Sequence, residues 1–210
     1  MIYDGSPANR LRSIATCILA KLGANYRCLY LNSPPMVAGL RSYLAAAGVD
    51  VAGEVRRGSL ILTSDQTHLL EDHFDPARML GMIEEAIRRS LSDGYRGLFA
   101  TGDMSWEFGP ERNFEKLLEY EQGLEELFVR YPHLSGICQY HQDTLPLDAV
   151  RTGLYSHRAL FVNETLSRMN PHHADADLLV TVSVRLGAAQ VEERLNRLTQ
   201  PTGPSGPTPA

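Results

Sequence analysis

Gly97-Leu98-Phe99-Ala100-Thr101-Gly102-Asp103-Met104-Ser105-Trp106-Glu107 reads as a buried strand that ends in a polar, glycine-containing corner, and the corner holds the only tryptophan of the chain. The helix that follows carries Leu117-Leu118-Glu119-Tyr120-Glu121. In an α/β sheet, ligands lie in the crevice beyond the carboxyl ends of the strands, so Asp103, Met104 and Trp106 stand where such folds do their work.

The same strand-then-corner design recurs outward from this stretch. Ile2-Tyr3-Asp4-Gly5-Ser6-Pro7 reads as the end of a strand turning into a helix with Leu11, Ile14, Ala15, Ile18 and Leu22 on one face. Cys28 to Asn32 is a second strand. Ser33-Pro34-Pro35 opens a helix with the stripe Val37, Leu40, Leu44 and Ala47. Ser59 to Thr63 is a third strand. A helix then places Met79, Ile83, Ala86, Ile87 and Leu91 together, with Asp93-Gly94 closing it. Leu134 to His141 reads as a fifth strand, followed by a short helix over 147–154 and a strand over 159–163. A run from Leu178 to Val184 has the alternation of an antiparallel edge strand, and Val191, Leu195 and Leu198 suggest a closing helix. Strands alternating with helices predict an α/β protein with a mainly parallel sheet flanked by helices, because parallel neighbours need crossover helices. One domain is expected over 1–199. The Pro, Gly, Ser and Thr tail over 200–210 is expected to be disordered.

Composition excludes several classes. The 210 residues are 43% hydrophobic and 21% charged, which suits one large core. With 20 basic against 25 acidic residues the net charge is -5, which argues against a phosphate-tracking surface and a nucleic-acid partner. No apolar run approaches the roughly 20 residues of a membrane helix, and the N-terminus lacks the layout of a secretion signal. A cytoplasmic protein without membrane association is expected. Cys17, Cys28 and Cys138 are odd in number and widely spaced among apolar neighbours, which fits small buried hydrophobes better than a disulfide framework.

Several groups are candidates for chemistry. The first strand, turn and helix resemble a phosphate cradle, yet the turn lacks G-x-x-x-x-G-K-[ST], and Lys21 lies too far along the helix to replace the missing lysine. Asp4, Asn32, Asp65, Asp103 with Trp106, Gln139 with His141, and Asn163 with Glu164 end successive strands. A parallel sheet would bring them to one rim, although strand ends are polar in every protein because loops are wet. Glu121 stands apart. The apolar positions Phe114, Leu117, Leu118, Leu124, Leu127 and Phe128 define a helix face, and at about 100° per residue Glu121 falls near its middle. A carboxylate there must be hydrogen-bonded, paired or protonated, in a pocket or in a structural network. Cys138, His141 and the His172-His173 pair can be assembled into a metal site on paper. In an alternating strand, however, Cys138 and His141 face opposite sides, and no metal site is expected. A hydrolase triad through Ser105 lacks the G-x-S-x-G elbow.

Six blocks in order carry a resemblance: Arg27-Cys28-Leu29-Tyr30, Phe74-Asp75-Pro76-Ala77-Arg78-Met79, Gly94-Tyr95-Arg96-Gly97-Leu98, Thr101-Gly102-Asp103-Met104-Ser105-Trp106, Leu117-Leu118-Glu119-Tyr120-Glu121 and Ile137-Cys138-Gln139-Tyr140. Together they resemble the MEDS (methanogen/methylotroph sensory) domain over Ile2 to about His173. The resemblance implies a RecA/KaiC-like three-layer α/β sandwich without a functional P-loop. It also implies a role in sensing small molecules, with hydrocarbon derivatives as the ligand class. Members often begin with a histidine-containing apolar strand, whereas this chain opens Met1-Ile2-Tyr3, so no role for that histidine carries over. Fused output domains are common in the family, and the resemblance over these residues implies the sensory part alone and names no output.

The expected function is a non-catalytic sensory domain in signal transduction. It would bind a small, partly apolar ligand at the carboxyl rim through Asn32, Asp103, Met104, Trp106, Glu121, Gln139 and Tyr140, with no cofactor, and pass the change to a signalling partner. Two alternatives stay open. An enzyme would use Asp103 and Glu121 as acid and base, and both would have to face one cavity. A protein-interaction module would show an exposed apolar patch.

Overall fold

The computed structural model describes residues 1–63, 74–104, 114–163, 167–174 and 187–199. Its centre is a five-stranded parallel sheet in the order β1-β5-β4-β2-β3, built from β1 (Ile2–Tyr3), β2 (Arg27–Leu31), β3 (Leu60–Thr63), β4 (Leu98–Asp103) and β5 (Leu134–His141). Seven α-helices are present among the described residues: α1 (Leu11–Gly23), α2 (Pro34–Ala46), α3 (Val51–Arg57), α4 (Pro76–Ser92), α5 (Phe114–Arg130), α6 (Leu147–Ser156) and α7 (Ala188–Thr199). A small antiparallel pair, β6 (Ala159–Phe161) with β7 (Ser167–Met169), completes the description.

The local sequence explains where these elements begin and stop. Pro34 and Pro76 sit in the first turns of α2 and α4, where their missing N–H groups cost nothing. Asp75 caps α4 by accepting from the Arg78 N–H at 3.1 Å, and Asp50 caps α3 through the Gly53 N–H at 2.9 Å. Gly58 ends α3 in the left-handed conformation, at φ 72°. The α3 helix and β7 are the two elements that periodicity does not predict; each is short, and strand or helix type for short pieces is decided by packing. The expected strand over 178–184 and the tail over 200–210 lie outside the described residues.

Side chains alternate across the sheet, and the helices divide into two layers. Leu31, Leu98, Leu134 and Tyr140 pack on one face with α4, α5, α6 and α7. Tyr3, Cys28, Tyr30 and Phe99 pack on the other with α1, α2 and α3. The central strands are therefore apolar on both faces, as parallel strands covered on two sides must be. After β2 the chain leaves to the α1 face, and after β4 it leaves to the α5 face. The switch point, and the crevice it opens, thus lies between the carboxyl ends of β2 and β4.

Candidate functional site

Alternation along β4 and β5 splits the predicted rim residues between the two faces. On the α1 side, Asp103 accepts a hydrogen bond from the Tyr3 hydroxyl at 3.2 Å. Gln139 donates from Nε2 to Thr101 Oγ1 at 2.9 Å, and Thr101 donates to the Ile137 carbonyl at 2.7 Å. Tyr3 stacks on His141 with centroids 5.0 Å apart. Burial, with the Asp103 charge added, raises the Tyr3 phenol, so it stays a donor. Asn32 is buried beside this group at the end of β2. The Tyr30 hydroxyl is buried there as well, and burial, with the Asp103 charge added, raises its phenol against the opposing hydrogen bond from Asn32.

On the α5 side, Met104 closes a cavity of about 30 Å³ between α5 and strands β4 and β5. Leu31, Ile83, Tyr120, Leu124 and Phe128 supply most of its apolar wall, and Cys138 stands in it. Gly102 and Gly136 contribute no side chain to this floor. At Gly136 a Cβ would meet the Ala100 carbonyl oxygen at 2.6 Å, so strand pairing itself requires glycine there.

Glu121 and Tyr140 are on this same side. Glu121 is 2% exposed, as its helical phase predicts, and it accepts a hydrogen bond from the Tyr140 hydroxyl through Oε1. Its Oε2 lies 3.4 Å from His157 Nε2. His157 follows α6, and its Nδ1 is 3.1 Å from the Gly153 carbonyl and 2.8 Å from Ser156 Oγ. A carbonyl only accepts, so Nδ1 carries the hydrogen and Nε2 turns its lone pair toward Glu121. Burial pushes the Glu121 carboxyl up to about 7, against the opposing pull of the Tyr140 hydroxyl, the Met1 amino group and Cys138. Burial, aided by the Met1 amino group, brings His157 down to about 4. When protonated, Glu121 can therefore donate to the His157 Nε2 lone pair, and the pair then carries no net charge. Gly153 makes room for this arrangement, because a Cβ there would stand 2.9 Å from the Tyr140 ring.

The structure thus gathers Asn32, Asp103 and Gln139 on the α1 side, and Met104, Glu121 and Tyr140 on the α5 side. Trp106 lies outside the described residues. Asp103 and Glu121 hydrogen-bond to tyrosines on opposite faces of the sheet, so they face no common cavity. Cys138 and His141 also face opposite sides, as alternation requires. The residue that sequence reasoning passed over is His157. Its only signal was a histidine four residues after Gly153 at a helix end, which by itself says nothing about Glu121.

Where a P-loop would lie, the chain forms a short 3₁₀ turn, Pro7–Arg10, and the Gly5 N–H donates to the Asp143 carboxylate at 2.8 Å. Lys21 Nζ bonds Ser135 Oγ at 2.9 Å, at the opening of β5 and thus at the end of the sheet away from the carboxyl rim. Exposed apolar side chains include Tyr43, Val129 and Met169, while Ile61 and Met82 share an open groove with Arg27, Arg78 and Arg89. No helix among the described residues is long and apolar enough to cross a membrane.

Fold and site define a doubly wound α/β domain with a small apolar cavity on the α5 side of its sheet. The chain belongs to the MEDS family: the family model described as "MEthanogen/methylotroph, DcmR Sensory domain" matches residues 1–158. MEDS is a sensory domain family, and Glu121, Cys138, Tyr140 and His157 all fall inside the match. A search of curated proteins returned no match.

Proposed function

We propose that this domain senses a small, partly apolar molecule received in the cavity beneath α5, and passes its occupancy to a signalling partner. The observation that carries the reading is the cavity itself. Its walls are almost wholly apolar, and its volume of about 30 Å³ leaves room for a solute of roughly two or three heavy atoms. A space of that kind holds water poorly and gains from a solute with an apolar body. The cavity also touches Met104 after β4 and Tyr120 on α5, and in the sequence Trp106 follows Met104 by two positions, so its emission is the natural reporter of filling. Set against an enzyme using Asp103 and Glu121 as acid and base is the separation of those carboxylates by the sheet.

The test uses a panel of one- and two-carbon alcohols, amines and halides, read by the fluorescence of the single tryptophan and by ligand-observed NMR. Ala100→Val adds two methyl groups to the cavity floor and suits a strand. It is expected to abolish the binding seen with the parent chain while leaving the fold intact. Binding that Ala100→Val does not weaken, or no binding across the panel, would refute the assignment.

A polar solute at the β2/β4 crevice is the second reading, favoured by the buried polar cluster of Tyr30, Asn32 and Asp103 near the ends of those strands. Asn32→Ala would weaken that binding and leave cavity binding unchanged.

A further inference from the structure

Cys138 does not meet His141, but it does meet another histidine. Glu121 from α5, Cys138 from β5 and His157 from the residue after α6 converge on the α5 side of the sheet. One ligand atom from each, a carboxylate oxygen, Sγ and a ring nitrogen, lies within 4.8 Å of the other two. Among the described residues this is the one set of three His, Cys, Asp or Glu side chains so arranged. We propose that Glu121, Cys138 and His157 form a binding site for a divalent transition-metal ion of the zinc class.

Four features support the assignment. The donors are a thiol, an imidazole and a carboxylate, a mixed set that suits zinc or cobalt rather than magnesium or calcium. Their spacing puts a shared ion within reach, since zinc holds sulfur at about 2.3 Å and nitrogen or oxygen at about 2.0–2.2 Å, and donors within 4.8 Å need move inward by only about 1 Å to meet one ion. The outer contacts are those of a metal ligand set. His157 is oriented by the Gly153 carbonyl through Nδ1, which leaves Nε2 to coordinate, and Glu121 is held at Oε1 by Tyr140, which leaves Oε2 facing Nε2 at 3.4 Å. Charge also balances, because a dication with one carboxylate, one thiolate and a neutral imidazole sums to zero. That removes the cost of an unpaired charge in a place where Glu121 is 2% exposed.

Coordination needs the Glu121 carboxylate, the Cys138 thiolate and a neutral His157, so the Cys138 thiol proton and any proton held on Glu121 leave to solvent as the metal–ligand bonds form. Three protein donors leave one position of a tetrahedral ion for a further ligand. Cys138 also lines the cavity described above, so such an ion would stand beside the sensor pocket. The metal assignment does not rest on the sensing reading, and its test uses no organic ligand.

The full chain, stripped with chelator, is titrated with Co²⁺ and followed by absorption and by metal analysis after desalting. One Co²⁺ per chain is expected, with a thiolate-to-cobalt charge-transfer band and the strong visible bands of a tetrahedral site, and Zn²⁺ should displace it. Cys138→Ser should lose the charge-transfer band. Glu121→Gln and His157→Gln should each weaken binding by more than the roughly 10- to 100-fold loss that follows from changing an outer contact. A Cys17→Ser/Cys28→Ala chain, in which Cys138 is the only thiol, should keep the band, and this decides the matter if Cys138→Ser fails to fold. His172→Gln with His173→Gln should change nothing. No charge-transfer band in the parent chain, a band that survives Cys138→Ser, or affinity that depends on His172 and His173 instead would overturn the proposal.

Discussion

Glu121→Gln in metal-free protein isolates the cost of keeping a carboxyl group at the bottom of this fold. Burial raises Glu121 from its ordinary 4.5 to about 7. Its folded-state value is therefore above its unfolded one, so the protonated group's contribution is fully present below about pH 4.5 and is lost as pH rises through about 7. A displacement of that size corresponds to about 3 kcal/mol. His157 works in the opposite sense. Lowered from 6.5 to about 4, its contribution is present above about pH 6.5 and is lost as pH falls through 4, so the two trends offset each other in the parent chain between about 4.5 and 6.5. A glutamine reproduces the protonated acid: its carbonyl accepts from the Tyr140 hydroxyl and its amide donates to His157 Nε2. The variant should match the parent near pH 4.5 and gain on it by about 3 kcal/mol by pH 8. The assay is urea unfolding from pH 4.5 to 8 with chelator present, with the difference between variant and parent plotted against pH. Using the difference cancels every other titrating group to the extent that the substitution leaves it alone. A difference that stays flat, or that rises toward acid, would refute the argument that burial controls this carboxyl.

Other outcomes follow from the same geometry. Tyr140→Phe removes the hydroxyl that holds Glu121 Oε1, and should cost about 1–3 kcal/mol and move the Glu121 midpoint further up, readable by carboxylate NMR titration. Gly153→Ala should cost about 1–3 kcal/mol in chemical unfolding, because its Cβ would press on the Tyr140 ring at 2.9 Å; an unchanged midpoint would mean the ring moves freely. No magnesium-dependent ATP hydrolysis is expected, since Lys21 is tied to Ser135 and the Gly5 N–H to Asp143, and robust turnover in a coupled assay would contradict this.

The family and the α/β class were legible because both rest on local patterns. Apolar strands ending in polar corners, helices with 3.6-residue stripes and six ordered blocks survive without any knowledge of how the layers stack. The inward placement of Glu121 was legible too, since helical phase fixes which residues share a face. Alternation likewise fixed that Cys138 and His141 diverge. What the pattern left undetermined is which sheet face each helix covers. That choice depends on crossovers between strands far apart in sequence, and it put Asp103 and Glu121 on opposite sides of the sheet although both had been expected at one rim. The same choice brought His157, 36 positions beyond Glu121 by number, within 3.4 Å of its carboxylate. Periodicity describes one element at a time, whereas a cluster drawn from α5, β5 and the end of α6 exists only once those elements pack, and so only the tertiary structure decided it.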